Sequence, residues 1–130
     1  MGVANLTPFG RELRKLRIDK KEVLYNMADK LEITPAYLSA IENGRREIPG
    51  SMVDEIAELY SLSEEQVKNL RIACIETQHK IIVNLPESCK EDYFFVETAF
   101  LFARNFPLLG DEQLEGIRKI LLSVDETHKE

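Results

Sequence analysis

No stretch of this chain approaches the roughly 18 uncharged apolar residues of a membrane span. The opening MGVANL has no secretory pattern, and Leu6 stands where a myristoylation signal needs Ser or Thr. The expected setting is the cytoplasm, with no membrane partner. Cysteine is scarce: Cys74 and Cys89 lie far apart and outside any C-x-x-C, so both are expected to be reduced and packed. His79 and His128 have no ligand-like neighbours, so no metal is expected. There is no phosphate-cradling glycine loop and no G-x-S-x-G nucleophile turn. Neither catalysis nor a cofactor is therefore expected. No internal repeat or low-complexity tract is present.

What remains is a chain of 130 residues with 44% hydrophobic content, enough for a core and long enough for one domain or two small ones. Its net charge of −6 is unevenly spread: residues 1–80 carry −1 and residues 81–130 carry −5. Within the first part, Arg11, Arg14, Lys15, Arg17, Lys20 and Lys21 cluster together, and Arg45 and Arg46 follow further on. Nucleic-acid binding depends on local positive charge at the phosphates, so an acidic total does not exclude it.

The most informative stretch is MADKLEITPAYLSAIENG, Met27 to Gly44. Leu24, Met27, Ala28 and Leu31 fall at i, i+3, i+4 and i+7, one stripe of a helix. Thr34 offers a capping oxygen and Pro35 suits the first helical position, where no N–H is required. Leu38 and Ile41 face inward on this second helix, and Gly44 can take the left-handed conformation that closes it. Two short helices at a tight turn are thus predicted, over about 23–32 and 35–43. Ala28 is small enough to let them cross closely.

The segment resembles the helix-turn-helix of the Cro/C1-type, or XRE, family of bacterial and phage DNA-binding regulators. Its landmarks are Met27-Ala28, Leu31, Ile33, Thr34, Tyr37-Leu38-Ser39 and the run Ile41 to Arg46. Phe9 to Arg17 resembles the family's first helix and Val53 to Tyr60 its fourth, so the likeness covers about residues 7–70. It implies a lambda-repressor-like domain of five helices, with double-stranded DNA as partner. By the family's pattern, Pro35, Ala36 and Ala40 would meet base edges, flanked by Thr34, Tyr37 and Ser39. Asn43, Arg45 and Arg46, with Arg17 and Lys21, would hold phosphates. There are two departures. Val23 and Leu24 stand where the family has a capping hydroxyl and a phosphate-holding Gln, and Glu32 replaces the glycine of the turn. The recognition set also has no Arg, Lys, Gln or Asn for bidentate base contacts, so sequence choice would lean on groove shape and deformability.

Along the rest of the chain, residues 1–6 read as a loose tail, and Thr7-Pro8 opens a helix with Phe9, Leu13 and Leu16 inward. Ser51 starts the fourth helix, and Ser63-Glu64-Glu65-Gln66 is a capping box for the fifth. Residues 80–85, KIIVNL, read as a short strand that either pairs with its copy in a second subunit or is an extended linker. Glu91 to Phe106 holds six of the ten Phe and Tyr residues, on more than one helical face. A last helix begins near Asp111, with Leu114, Ile117, Leu121 and Val124 in one stripe. The expected organisation is all-α, with a DNA-binding domain over 1–79 and a homodimerisation segment over 80–130. The resemblance implies a dimeric repressor acting near its own gene, of prophage or mobile-element type. The competing reading is an antitoxin-like or anti-regulator module whose acidic, aromatic second part binds another protein.

Overall fold

The computed structural model describes residues 6–128, so the expected tail falls, except for Leu6, outside the described residues. The chain divides into two units, one ending at Asn84 and the other starting at Leu85. The described residues are mostly helical and contain no sheet.

The first unit holds α1 (Pro8–Lys20), α2 (Leu24–Leu31), α3 (Pro35–Glu42), α4 (Met52–Leu59) and α5 (Glu64–Gln78). Its helix starts follow local chemistry. Thr7 accepts the Gly10 N–H at 3.1 Å ahead of Pro8, and Thr34 accepts the Tyr37 N–H at 3.0 Å ahead of Pro35. Ser63 and Gln66 exchange bonds of 3.2 and 2.8 Å, a complete capping box. Each satisfies donors that a helix N-terminus otherwise leaves open. Ser51 precedes α4 but makes no capping bond.

Helix ends show more strain. Lys21, Glu32 and His79 cap α1, α2 and α5 in the left-handed conformation, with φ of 57°, 60° and 52°. A side chain there costs about 1–2 kcal/mol relative to glycine. The fold makes no use of glycine at these three ends; Gly44, just past α3, takes φ 81°.

Phe9, Leu13, Met27, Ala28, Leu38, Ile41, Ile48, Ile56 and Leu70 form the centre of one core, with Met52, Val53, Tyr60 and Cys74 around it. Each large member contributes about 1.5–3 kcal/mol by leaving water. Leu16, Leu24, Leu31 and Ile33 pack on its edge. Cys74 is a free thiol inside this core, and burial pushes its pKa up. Cys89, half-buried in the second unit, is free as well.

Among the described residues, the KIIVNL segment forms no strand ladder within the chain. It is extended and makes a single parallel bridge, Ile82 to Pro49. Proline has no N–H to continue a ladder, and Pro86 ends the segment. Residues 80–84 instead lie on the first unit. The Gln78 amide accepts the Ile48 N–H at 3.0 Å and donates to the Ile48 and Lys80 carbonyls at 3.3 and 3.1 Å. Lys80 also pairs with Glu47.

The second unit contains a 3-10 turn (Glu87–Glu91), α6 (Tyr93–Asn105), a second 3-10 turn (Phe106–Leu108) and α7 (Asp111–Thr127). Asp92 caps α6 through the Phe95 N–H at 3.3 Å. Phe102 and Phe106 pack ring to ring at 5.0 Å. None of its elements has a buried residue, and α6 and α7 do not pack against each other among the described residues.

Candidate nucleic-acid interface

The turn between α2 and α3 is built from backbone bonds and one cap. Ile33 N–H reaches the Ala28 carbonyl at 3.0 Å, Glu32 N–H reaches the Asp29 carbonyl at 3.0 Å, and Thr34 then opens α3. Fully buried Ala28 lies under this turn, and Leu38 and Ile41 anchor the inner side of α3. With that side fixed, Thr34 and Ala36 are exposed, while Pro35, Tyr37, Ser39 and Ala40 are half-buried.

The end of α3 is held by Glu42. Its backbone carbonyl accepts both the N–H and the hydroxyl of Thr7, at 3.1 and 2.8 Å. A Cβ on Gly10 would stand 2.4 Å from the same oxygen, so only glycine lets α1 approach this closely. Its carboxylate receives Arg17, Nη1 to Oε2 at 2.6 Å and Nη2 to Oε1 at 3.1 Å. Arg17 Nη1 also lies 3.3 Å from the Met27 sulfur. Glu42 thus ties the C-terminal end of α3 to both ends of α1.

This corrects one expected phosphate ligand. Arg17 is only 7% exposed and both its terminal nitrogens are engaged inside the protein. A guanidinium in that state cannot reach DNA. The reason is positional: Arg17 is four residues past Leu13, so it continues the inward stripe of α1. Lys21 is exposed at the C-cap of α1.

The loop after α3 gathers the other basic residues. Arg45 and Arg46 N–H groups fold back onto the Ala40 carbonyl at 2.8 and 3.2 Å. Arg46 then lies over the Tyr37 ring, 4.9 Å from its centroid, within cation–π range. Tyr37 therefore serves as a platform for Arg46. Asn43 donates its amide to the Ser39 hydroxyl at 3.5 Å. Tyr37, Arg45, Arg46, Glu47, Pro49, Ile82 and Asn84 line one open depression. The structure thus brings Tyr37, Arg45 and Arg46 together.

The start of α2 carries no clamp of the expected kind. Val23 is the N-cap without a side-chain bond, and its N–H is satisfied by Asn26 Oδ1 at 2.9 Å. Ile18, Val23 and Tyr25 are all exposed at this junction. Behind it, the Tyr60 hydroxyl donates to Glu22 at 2.7 Å, Lys30 pairs with the same carboxylate, and Lys30 Nζ sits 4.6 Å from the Tyr60 ring. Lys30 first, and Tyr60 next, hold the Glu22 carboxyl below its ordinary range. Burial and the facing Glu22 raise the Tyr60 phenol well above its own.

Two short helices joined by a capped turn, the second with its outer side free and a basic loop at its end, define a helix-turn-helix. Residues 8–70 match a family model described as a helix-turn-helix domain, in agreement with that geometry. No curated protein and no solved structure matches the chain. Among the described residues, no helix is long and apolar enough to cross a membrane.

Proposed function

We propose that this chain is a sequence-specific transcriptional regulator of the Cro/C1 (XRE) type: a homodimeric cytoplasmic repressor, lambda-repressor-like in its first unit, that binds a palindromic operator near its own gene. The observation that carries the reading is the pairing of α3 with its basic loop. The outer side of α3 offers Thr34, Pro35, Ala36, Ser39 and Ala40, and directly after it Arg45 and Arg46 stand exposed, Arg46 steadied over Tyr37. In this reading α3 enters the major groove, and Asn43, Arg45 and Arg46 hold the adjoining phosphates, with Lys21 as a further phosphate contact. Phosphate contacts set register, and base edges or DNA shape set the choice of site. Alanines suit thymine methyls and hydroxyls make single hydrogen bonds. In a dimer formed through residues 80–130, each copy's α3 would read one half-site of the operator, the half-sites lying about one helical turn (~34 Å) apart. Prophages and other mobile elements are the setting in which such small autoregulators fit.

The test is binding of the purified full-length protein to DNA from upstream of its own gene. A scrambled duplex of equal length is compared at 50 and 200 mM salt. Preferred binding to the upstream duplex, falling by about a thousandfold across that salt range, supports the reading. Equal, weak binding to both duplexes overturns it and turns attention to a protein partner for residues 81–130.

A further inference from the structure

We propose that the two copies of this protein meet along α6, antiparallel to each other about a two-fold axis between Phe100 and Leu101, with Glu97 of each copy paired to Arg104 of the other. This rests on the homodimer reading above and specifies its contact.

Three observations lead there. The first is the distribution of apolar surface on α6. Phe95, Phe102 and Phe106 share one side of the helix at i, i+7 and i+11, where Phe102 and Phe106 already pack on each other. The opposite side carries Tyr93, Phe94, Phe100 and Leu101, and there Tyr93, Phe94 and Phe100 are 72%, 78% and 74% exposed. These four lie within about 120° of the helix circumference at 100° per residue, the width of a packing stripe. Three such aromatics, at roughly 150–250 Å² each, supply on the order of half of the ~800 Å² each partner contributes to a stable interface.

The second is charge. Glu97 and Arg104 are the only charged residues in α6, and both fall inside this exposed stripe. They are seven residues apart, two turns, so they are separated by about 10.5 Å along one side of the helix. Both are exposed, and that separation keeps them from pairing with each other. Two antiparallel copies centred between residues 100 and 101 bring position 97 opposite position 104 twice. The same register sets Phe100 opposite Leu101. Opposite charges that miss each other within one helix are therefore matched between two, which is self-complementarity of the kind a two-fold interface requires.

The third is what α7 would do in the same role. It carries Asp111, Glu112, Glu115, Asp125 and Glu126 against only Arg118 and Lys119. Most of those charges lie away from the stripe of Leu114, Ile117, Leu121 and Val124, so that stripe carries no matched pair of opposite charges to set a two-fold register. In α6 the two opposite charges lie inside the exposed stripe itself and match across the two-fold.

The experiment uses full-length protein and sedimentation velocity. Glu97→Arg sets two guanidiniums against each other across the contact, and Arg104→Glu sets two carboxylates against each other. Each variant alone is expected to dimerise at least tenfold more weakly than the parent. Mixing the two is expected to restore a dimer, now a heterodimer in which each copy's charges are all of one sign and face the opposite sign on its partner. The doubly reversed Glu97→Arg/Arg104→Glu is expected to pair with itself. As a second measurement, Arg104→Lys keeps the charge and supplies an amine. Carbodiimide treatment is then expected to join the Glu97 carboxyl of one chain to that introduced amine on the other, a link the two-turn separation forbids within one helix. Single variants that dimerise as tightly as the parent, or an Arg104→Lys dimer without that cross-link, overturn the α6 contact while leaving dimerisation standing. A parent protein that stays monomeric at tens of micromolar overturns the homodimer reading, and this contact with it.

Discussion

Arg17 and Glu42, 25 residues apart, meet as a two-pronged ion pair with both side chains below 10% exposure. It joins the last turn of α1 to the last residue of α3. Removing one partner leaves a buried charge without compensation, which costs about 3–5 kcal/mol. Arg17→Ala and Glu42→Ala are each expected to lose that much in urea unfolding. The apolar pair Arg17→Met/Glu42→Leu is expected to recover most of it. An Arg17→Ala variant with unchanged stability and weakened DNA binding would return Arg17 to the phosphates.

The strained turn of the helix-turn-helix offers a gain. Glu32 has φ 60° and is exposed, so glycine relieves the backbone without opening a cavity. Glycine's greater freedom in the unfolded chain offsets part of the gain. Glu32→Gly is expected to stabilise by about 0.5–1 kcal/mol, a rise of several degrees in melting temperature. A fall in melting temperature would mean that the Glu32 side chain makes a contribution larger than its strain.

Gly50 makes the opposite prediction. A Cβ there would stand 1.9 Å from the Ile82 carbonyl oxygen, so Gly50→Ala is expected to push residues 80–84 away from the loop at Pro49. Limited proteolysis is expected to cut this segment faster in Gly50→Ala than in the parent. Unaltered cleavage would show that the loop yields instead of the segment.

The Glu22 cluster responds to acid. Its carboxyl is held below its ordinary range by Lys30 and by the Tyr60 hydroxyl, so folding favours the ionised form. That stabilisation is complete above the unfolded value of about 4.3 and disappears as pH falls through the lower folded value. The stability difference between the parent and Glu22→Gln is therefore expected to be constant near neutrality and to shrink below about pH 4. Urea midpoints at about pH 7, 5 and 3.5 span that range. A gap that widens in acid would reverse the sign of the argument.

Arg45 and Arg46, the proposed phosphate contacts, allow DNA binding to be tested apart from folding. Both are exposed, so Arg45→Ala/Arg46→Ala is expected to unfold at the parent's urea midpoint. Operator binding should weaken similarly on all sequences, and the salt slope should fall by about one per arginine lost. Tyr37→Ala, which removes the ring beneath Arg46, is expected to give a smaller loss of the same kind.

How far the sequence could be read depended on distance along the chain. The starts of α1, α3 and α5 were legible because a cap, a proline and an apolar stripe act within three or four residues: Thr7-Pro8, Thr34-Pro35 and Ser63 with Gln66. The left-handed Glu32 was legible too, since it stands where the resemblance called for glycine. KIIVNL reads from its β-branched residues as a strand for a second copy or as an extended linker, and within the chain the bridge to Pro49 is its only pairing among the described residues. Gln78, which holds that segment to Ile48, had no sequence signal.

By itself the sequence determined where α1, α3 and α5 would start and which apolar stripes would turn inward in the first unit, because those choices rest on periodicity and on bonds between near neighbours; Ile48 and Met52 are buried in the same core without such a signal. It also determined that α6 would carry more apolar surface than one small unit can cover. Only the tertiary structure decided which charges remain free. Arg17 and Arg45 have the same chemistry, and one is locked against Glu42 while the other stands in solvent. The difference lies in a carboxylate 25 residues away from Arg17, and an ion pair of that span exists only once α1 and α3 have packed.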